Sequence, residues 1–265
     1  MVFSVQLLVI LLVSLAVSAI GFRRYVWFFS VGYGFAIAAL GLTMLLAFRC
    51  DAGAAMLCAL LMLYGCRLGG YLAYREWKQA SYMQRVGGDI KDHKSISMGA
   101  KCAMWVACAV LYVLMVSPIF FRLKNGVASG VSVGFGMAVM VLGAGMELAA
   151  DIRKSRAKKV DPNRFVDAGL YRIVRCPNYL GELLLWTGVL ITGLGGLRGA
   201  GQWIMALLGY VGIVYVMFSG ARRLELRQNR TYGSDPEYQS YIKTVPILLP
   251  GVPLYSVEKY KWLVA

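Results

Sequence analysis

Seven apolar stretches recur along this chain, at roughly 2–20, 26–48, 53–74, 98–120, 127–150, 179–197 and 201–220. A helix needs about 20 apolar residues to cross a hydrocarbon core of roughly 30 Å, and in lipid its backbone must satisfy its own N–H and C=O groups. Each stretch therefore predicts a transmembrane helix. The fold class expected is all-α, a polytopic integral membrane protein built as a seven-transmembrane-helix bundle. Composition leaves little alternative, because a chain of 265 residues that is 59% hydrophobic and 15% charged cannot enclose its apolar surface in one aqueous core. The reading is of a single membrane domain over 1–265. Residues 1–125 form helices 1–4, and 126–265 form helices 5–7 with a loop at 151–178 and a tail at 221–265.

The charges set an orientation. Lys and Arg number 28 against 13 Asp and Glu, and they gather after the first run at Arg23-Arg24, then at 75–97, 151–178 and beyond 220. Seven crossings place all four groups on one side. Under the positive-inside rule that side is the cytoplasm, with the N-terminus outside and the C-terminus cytoplasmic. Only short turns, near Arg49 to Asp51, Arg122 to Gly126 and Leu197 to Gly201, face the other way. The ending Ala16-Val-Ser18-Ala19 of the first run also suits a cleaved leader, but no basic residue precedes that run as a secretory segment needs. Short connections point to a bacterial inner membrane, or to the endoplasmic reticulum if the source is eukaryotic.

Several chemistries lack material. The one histidine, His93, stands in a charged loop, so neither a His-based zinc site nor a Ser-His-Asp triad can be assembled, and no metal is expected. The six cysteines include no CxxC pair and read as small buried hydrophobes. Gly-x-Gly pairs fall inside apolar runs, where close helix packing explains them, rather than between a strand and a helix. A nucleic-acid partner is not expected; the partners are the bilayer and a hydrophobic small molecule, with the oligomeric state open.

The loop from Asp151 to Arg175 carries eight basic residues against three acidic. Its charge suits a lipid-facing anchor or a phosphate-bearing ligand equally well. Beyond it runs Gly169-Leu170-Tyr171-Arg172-Ile173-Val174-Arg175-Cys176-Pro177-Asn178-Tyr179-Leu180-Gly181-Glu182. Pro177 and Asn178 suit a helix start, and Glu182 then lies one turn inside an apolar helix, where a carboxylate needs a polar cavity or a partner. Asn178 and Glu182, four apart, share a helical face.

This run resembles the C-terminal signature of the steroid 5α-reductase superfamily, whose bacterial members carry a similar Arg-x-Pro-Asn-Tyr-x-Gly-Glu stretch. Glu147 to Asp151, Ser219-Gly220 with Arg222 to Arg227, and Tyr238, Tyr241, Thr244 and Pro250 resemble further parts of that pattern. The resemblance covers about 120 residues. It implies a cytoplasmic NADPH site and reduction of an activated carbon–carbon double bond in a lipid-like substrate, a steroid or other enone. By the same resemblance Asp151, Lys158, Arg164, Asn178 and Glu182 match cofactor contacts, and Glu147 stands where the steroid enzymes have an amide. Arg172 and Arg223 are counted with them.

Tyr64, Arg67 and Tyr71 fall on one face of the third helix by their spacing. The same order occurs in the steroid reductases, where the first tyrosine donates to the substrate carbonyl, which makes Tyr64 the candidate catalytic donor with Arg67 beside it. An aromatic belt and a snorkelling arginine are the structural alternative. The family's second-helix carboxylate has no counterpart, because residues 1–50 contain no Asp or Glu. Ser30, Tyr33 or Thr43 offer only hydroxyls. Two other readings remain: an S-adenosylmethionine-dependent membrane methyltransferase of the isoprenylcysteine carboxyl methyltransferase type, which shares a similar turn, and a lipid-binding membrane protein without chemistry.

Overall fold

The computed structural model describes residues 4–78 and 96–264; His93 and most of the basic segment 75–97 lie outside them. Among the described residues the chain is helical, without strands. The helices are α1 (Val5–Ser18), α2 (Val31–Ala47), α3 (Ala52–Lys78), α4 (Met98–Lys124), α5 (Val131–Val160), α6 (Pro177–Gly193), α7 (Gly199–Tyr232) and α8 (Pro236–Thr244). Among the described residues six segments are long and apolar enough to cross a membrane: Val5–Phe22, Tyr25–Ala47, Ala52–Arg75, Met98–Lys124, Val131–Val160 and Gly199–Tyr232. This is the architecture of an integral membrane protein. The remaining apolar stretch is α6, whose 17 residues reach about 26 Å at the α-helical rise, short of a full hydrocarbon core.

Two helices outrun their apolar stretches. α5 continues through Arg153, Lys154, Arg156, Lys158 and Lys159 to Val160, and α7 continues through Arg222 to Tyr232. Arg, Lys, Ala, Leu, Glu and Gln are good helix formers, so hydropathy falls where helicity does not. Asp151 consequently sits inside α5 rather than at its C-terminus, and the connection to α6 shortens to 161–176.

The chain divides into two compact units, Met1–Phe135 with Val189–Gly209, and Gly136–Gly188 with Tyr210–Ala265. In unit 1, α2 and α3 touch backbone to backbone. A Cβ on Gly34 would lie 2.4 Å from the Gly69 nitrogen, and one on Gly65 would lie 2.4 Å from the Gly34 oxygen. Of the neighbouring Gly69 and Gly70, Gly69 alone makes this close approach, since a Cβ on Gly70 would meet nothing within 4 Å. α1 is tied to α4 by Ser14 Oγ donating to the Ala109 carbonyl at 3.0 Å and by Trp105 Nε1 donating to the Leu15 carbonyl at 2.8 Å.

The three short turns expected on one side are joined at one end of this unit. Asp51 accepts from Ala54 N at 2.8 Å, capping α3, and from Ser129 N and Ser129 Oγ at 2.7 Å each. Buried Arg122 donates to the carbonyls of Thr192 at 2.7 Å, Ala128 at 2.8 Å and Leu194 at 2.6 Å, and to Ser132 Oγ at 3.0 Å. A cation on the last carbonyls of α6 answers both their missing donors and the helix dipole. Asn125 links Gly196 O and Gln202 Oε1, each at 2.8 Å.

In unit 2, α5 and α6 run antiparallel at the same intimacy. A Cβ on Gly143 would lie 2.4 Å from Leu185 N and 2.5 Å from Gly181 O, and one on Gly188 would lie 2.6 Å from Gly136 O. Lipid tails are as apolar as the side chains, so helices associate here through close packing, and glycine permits the closest. Gly134 and Gly145, on the opposite face of α5, meet nothing within 4 Å and do not pack as the sequence suggested. The cysteines divide likewise: Cys58, Cys108 and Cys176 are buried, but Cys66 and Cys102 are exposed.

Two outcomes follow. Gly143→Ala forces the α5/α6 backbones apart and lowers stability by about 1–3 kcal/mol, the usual range for overpacking. Gly145→Ala, two residues away on the open face, is neutral or raises stability by up to ~1 kcal/mol through helix propensity; thermal melts in detergent compare the two. The Asp51 carboxyl is held at about 2, below its ordinary 3.8, first by the Ser129 hydroxyl and then by the Ala54 and Ser129 amides. Its folded-state pKa is depressed, so its stabilisation is present above 3.8 and is lost as pH falls towards about 2. The melting difference between wild type and Asp51→Asn is therefore full near neutrality and vanishes over that interval.

Candidate functional site

The α5/α6 crossing fixes where the acidic residues stand. A Cβ on Gly181 would lie 2.6 Å from Glu147 N and 3.0 Å from its Cα. Glu147 on α5 is thus level with Gly181 and Glu182 on α6. One turn further along the antiparallel pair, Asp151 comes level with Pro177 and Asn178, at the start of α6. Glu147, Asp151 and Glu182 retain only 3%, 8% and 7% of their exposure, and Asn178 is half-buried. Each of the three acids is engaged by a neighbour. Carboxylates so enclosed near an apolar helix pair are costly and mark function more often than stability. The register of α5 on α6 sets Glu147, Asp151, Asn178 and Glu182 at the same end of that helix pair in unit 2.

The basic candidates are placed differently. Lys158 Nζ donates to the carbonyls of Pro162, at 2.9 Å, and Arg164, and to Tyr232 Oη at 2.8 Å, with its ammonium 5.3 Å from the Tyr232 ring centre. Its three donors thus close the turn that ends α5. Arg164 bridges Glu237 at 2.8 Å and Asp167 at 3.1 Å, which hold its guanidinium above the usual arginine value. Arg172, in a 3₁₀ turn at Gly169–Arg172, and Arg223, on the extended part of α7, are exposed.

Beneath these residues lies packing that the sequence did not announce. Phe165 sits among Tyr232, Tyr238 and Tyr241, with ring centres 6.0, 5.3 and 5.3 Å away. Tyr241 Oη donates to the Tyr171 carbonyl at 2.7 Å, and Tyr238 Oη donates to Asn229 Oδ1 at 2.8 Å. The Tyr238 and Tyr241 pair therefore seats α8 under the loop. Burial pushes the Tyr238 hydroxyl and the Cys176 thiol each up to about 12, and it raises Tyr241 as well. None of them is a nucleophile or base at neutral pH.

The largest omission is Arg175 with Glu225. Nη2 of Arg175 reaches Glu225 Oε1 at 2.9 Å and also the Tyr255 carbonyl, while Glu225 Oε2 accepts from Val257 N at 2.8 Å. Both side chains are fully buried. Backbone bonds from Arg175 N to Pro246 O and from Cys176 N to Ile247 O, at 2.9 and 3.0 Å, lay the tail along the same strand of chain. In the sequence Arg175 is one cation among the eight between Asp151 and Arg175. Glu225 is the lone acid between Ser219 and Ser234, which was the available signal.

In unit 1, Tyr64 is buried on α3 beside the Gly65 contact. The Tyr71 ring is flanked by the guanidiniums of Arg67 and Arg75, 5.8 and 5.6 Å from its centre. Of the hydroxyls offered in place of a second-helix acid, Ser30 donates to Val26 O at 3.0 Å and Thr43 to Ala39 O at 2.8 Å, within their own segment of chain. Tyr33 is buried with its ring 5.2 Å from that of Tyr112.

Fold and site together define a helical membrane protein with an acidic, enclosed polar end set among basic extensions. Residues 25–245 match the family described as "Protein of unknown function (DUF1295)", and the chain belongs to that family. No curated protein and no solved structure matches it.

Breaking the buried pair by one partner leaves a charge enclosed and uncompensated, at a cost of about 3–5 kcal/mol. Glu225→Gln and Arg175→Met each lower the melting temperature and expose the tail after residue 245 to limited proteolysis. The apolar double replacement Arg175→Met with Glu225→Leu recovers part of the loss.

Proposed function

We propose that this chain is an NADPH-dependent membrane reductase of the steroid 5α-reductase type, saturating an activated carbon–carbon double bond in a lipid-like enone. The observation that carries the reading is the set of three buried acids and an amide at one end of the α5/α6 pair. Such acceptors suit the hydroxyl and carboxamide hydrogens of a dinucleotide, and the exposed cations Arg153, Arg156, Lys159, Arg172 and Arg223 suit its phosphates. The bound cofactor would supply hydride. Tyr64 is proposed to donate a hydrogen bond to the substrate carbonyl oxygen as negative charge grows there, with Arg67 easing that charge. In this reading α6 is the seventh crossing, the N-terminus is outside, the C-terminus is cytoplasmic and the membrane is a bacterial inner membrane.

One observation favours a second reading. Lys158, Arg164 and Arg175 already have partners within the chain, Arg164 at the surface and Arg175 buried, which thins the cationic set available to phosphates while the acids remain. Carboxylates without phosphate contacts suit S-adenosylmethionine, a sulfonium cation, and methyl transfer.

Thermal shift of the purified protein separates the two: NADPH raises the melting temperature saturably and S-adenosylmethionine does not. Asn178→Asp and Glu182→Gln weaken NADPH binding about 10-fold or more, as loss of a charge-assisted hydrogen bond does. Tyr64→Phe keeps the NADPH Kd and lowers enone turnover by roughly 10²-fold or more. Absence of saturable NADPH binding ends the reductase reading.

A further inference from the structure

The last described residues fold back onto a membrane helix. The Trp262 ring stacks on Tyr215, with centres 6.1 Å apart and planes 28° from parallel, and Tyr215 Oη donates to the Trp262 carbonyl at 3.0 Å. Arg222 secures the same segment by donating from Nε to Glu258 O and from Nη1 to Leu263 O, each at 3.0 Å. Leu263 is buried, yet Trp262 and Val264 on either side of it are 66% and 72% exposed.

The depth of this contact follows from α7. Tyr215 lies 16 residues past Gly199, about 24 Å along the helix, whereas Arg222 lies about 35 Å along it. An apolar run that starts next to Arg198 and crosses a core of roughly 30 Å thus places Tyr215 just inside the far boundary and Arg222 just beyond it. Exposed Val211, one turn before Tyr215, continues the apolar surface inward. Trp262 and Val264 therefore stand where acyl chains meet headgroups, the level that tryptophan prefers. Lys259 and Lys261 are exposed on the same segment, and Lys259 helps line an open hollow of about 530 Å³ with Tyr255, Ser256, Glu258 and Tyr260. The Glu258 carboxylate is drawn off towards Asn229 Nδ2 at 2.9 Å.

We propose that residues 253–264 form an interfacial clamp for an anionic phospholipid. Trp262 and Val264 lie against its acyl chains, while Lys259, Lys261 and the Ser256 and Tyr260 hydroxyls take its phosphate. Charge complementarity selects the anionic headgroup, and the Tyr215–Trp262 stack fixes the depth.

The test uses the full chain in mixed phosphatidylcholine and phosphatidylglycerol vesicles of fixed composition, with one of the two lipids brominated at a time, and reads Trp262 as the emission difference between wild type and Trp262→Phe. Brominated lipid quenches this emission and aqueous acrylamide does not. Phosphatidylglycerol is preferred over phosphatidylcholine, and the preference falls about fivefold in Lys259→Gln and again when Lys261→Gln is added, the worth of a basic residue near an anionic surface. Quenching by acrylamide alone, or equal quenching by the two lipids in wild type, overturns the proposal. So does loss of the preference in millimolar inorganic phosphate, which would assign the lysines to a free anion.

Discussion

Backbone-to-backbone contact at glycine is the constraint on which the rest of this protein depends. Helices in lipid gain little by hiding one apolar face from another, so their association must come from dispersion and polar contacts at short range. Gly34, Gly65 and Gly69 supply that range between α2 and α3, and Gly136, Gly143, Gly181 and Gly188 supply it between α5 and α6. In the second pair the contact also sets the chemistry. Because Gly181 admits the Glu147 backbone, the side chains of Glu147 and Glu182 leave the two helices at one level and are both enclosed. A bulkier residue at Gly181 would separate the acids as well as the helices.

Outside the apolar layer a different physics takes over. α5 and α7 project past it as charged helices, and their ends are gathered by the Phe165 cluster, by Lys158 on Tyr232 and by the Arg175–Glu225 pair. These contacts bind 161–176, α8 and the tail into unit 2, so the chain after residue 245 is part of the fold. Half of the work of the basic residues is therefore internal: Lys158 closes a turn, Arg164 joins the loop to α8, and Arg175 and Arg222 hold the tail. The other half, exposed on α5, α7 and the 3₁₀ turn, is left for anions.

Legibility divides along the same line. Apolar length marked the six segments long enough to cross a membrane and, as a seventh, the shorter α6, whose start Pro177 marked, because both signals are local: a helix in lipid is specified by its own residues. Helix ends were missed where Arg153 to Lys159 and Arg223 to Tyr232 carry the helix beyond the apolar run, since hydropathy reports solvent and not backbone state. Four-residue spacing put Asn178 with Glu182 on a common face; that Glu147 and Asp151 come level with them required the register of α5 on α6.

Sequence alone determined that the chain is a helical membrane protein, where its apolar helices begin, and which rare acids stand inside apolar surroundings, for these are statements about single segments and their solvent. The tertiary structure decided which cations are consumed by internal partners, which glycines bear contact and which are open, and that Arg175 finds Glu225 fifty residues away. Partner choice at that separation depends on how the helices cross and where their ends project, and no local pattern encodes it.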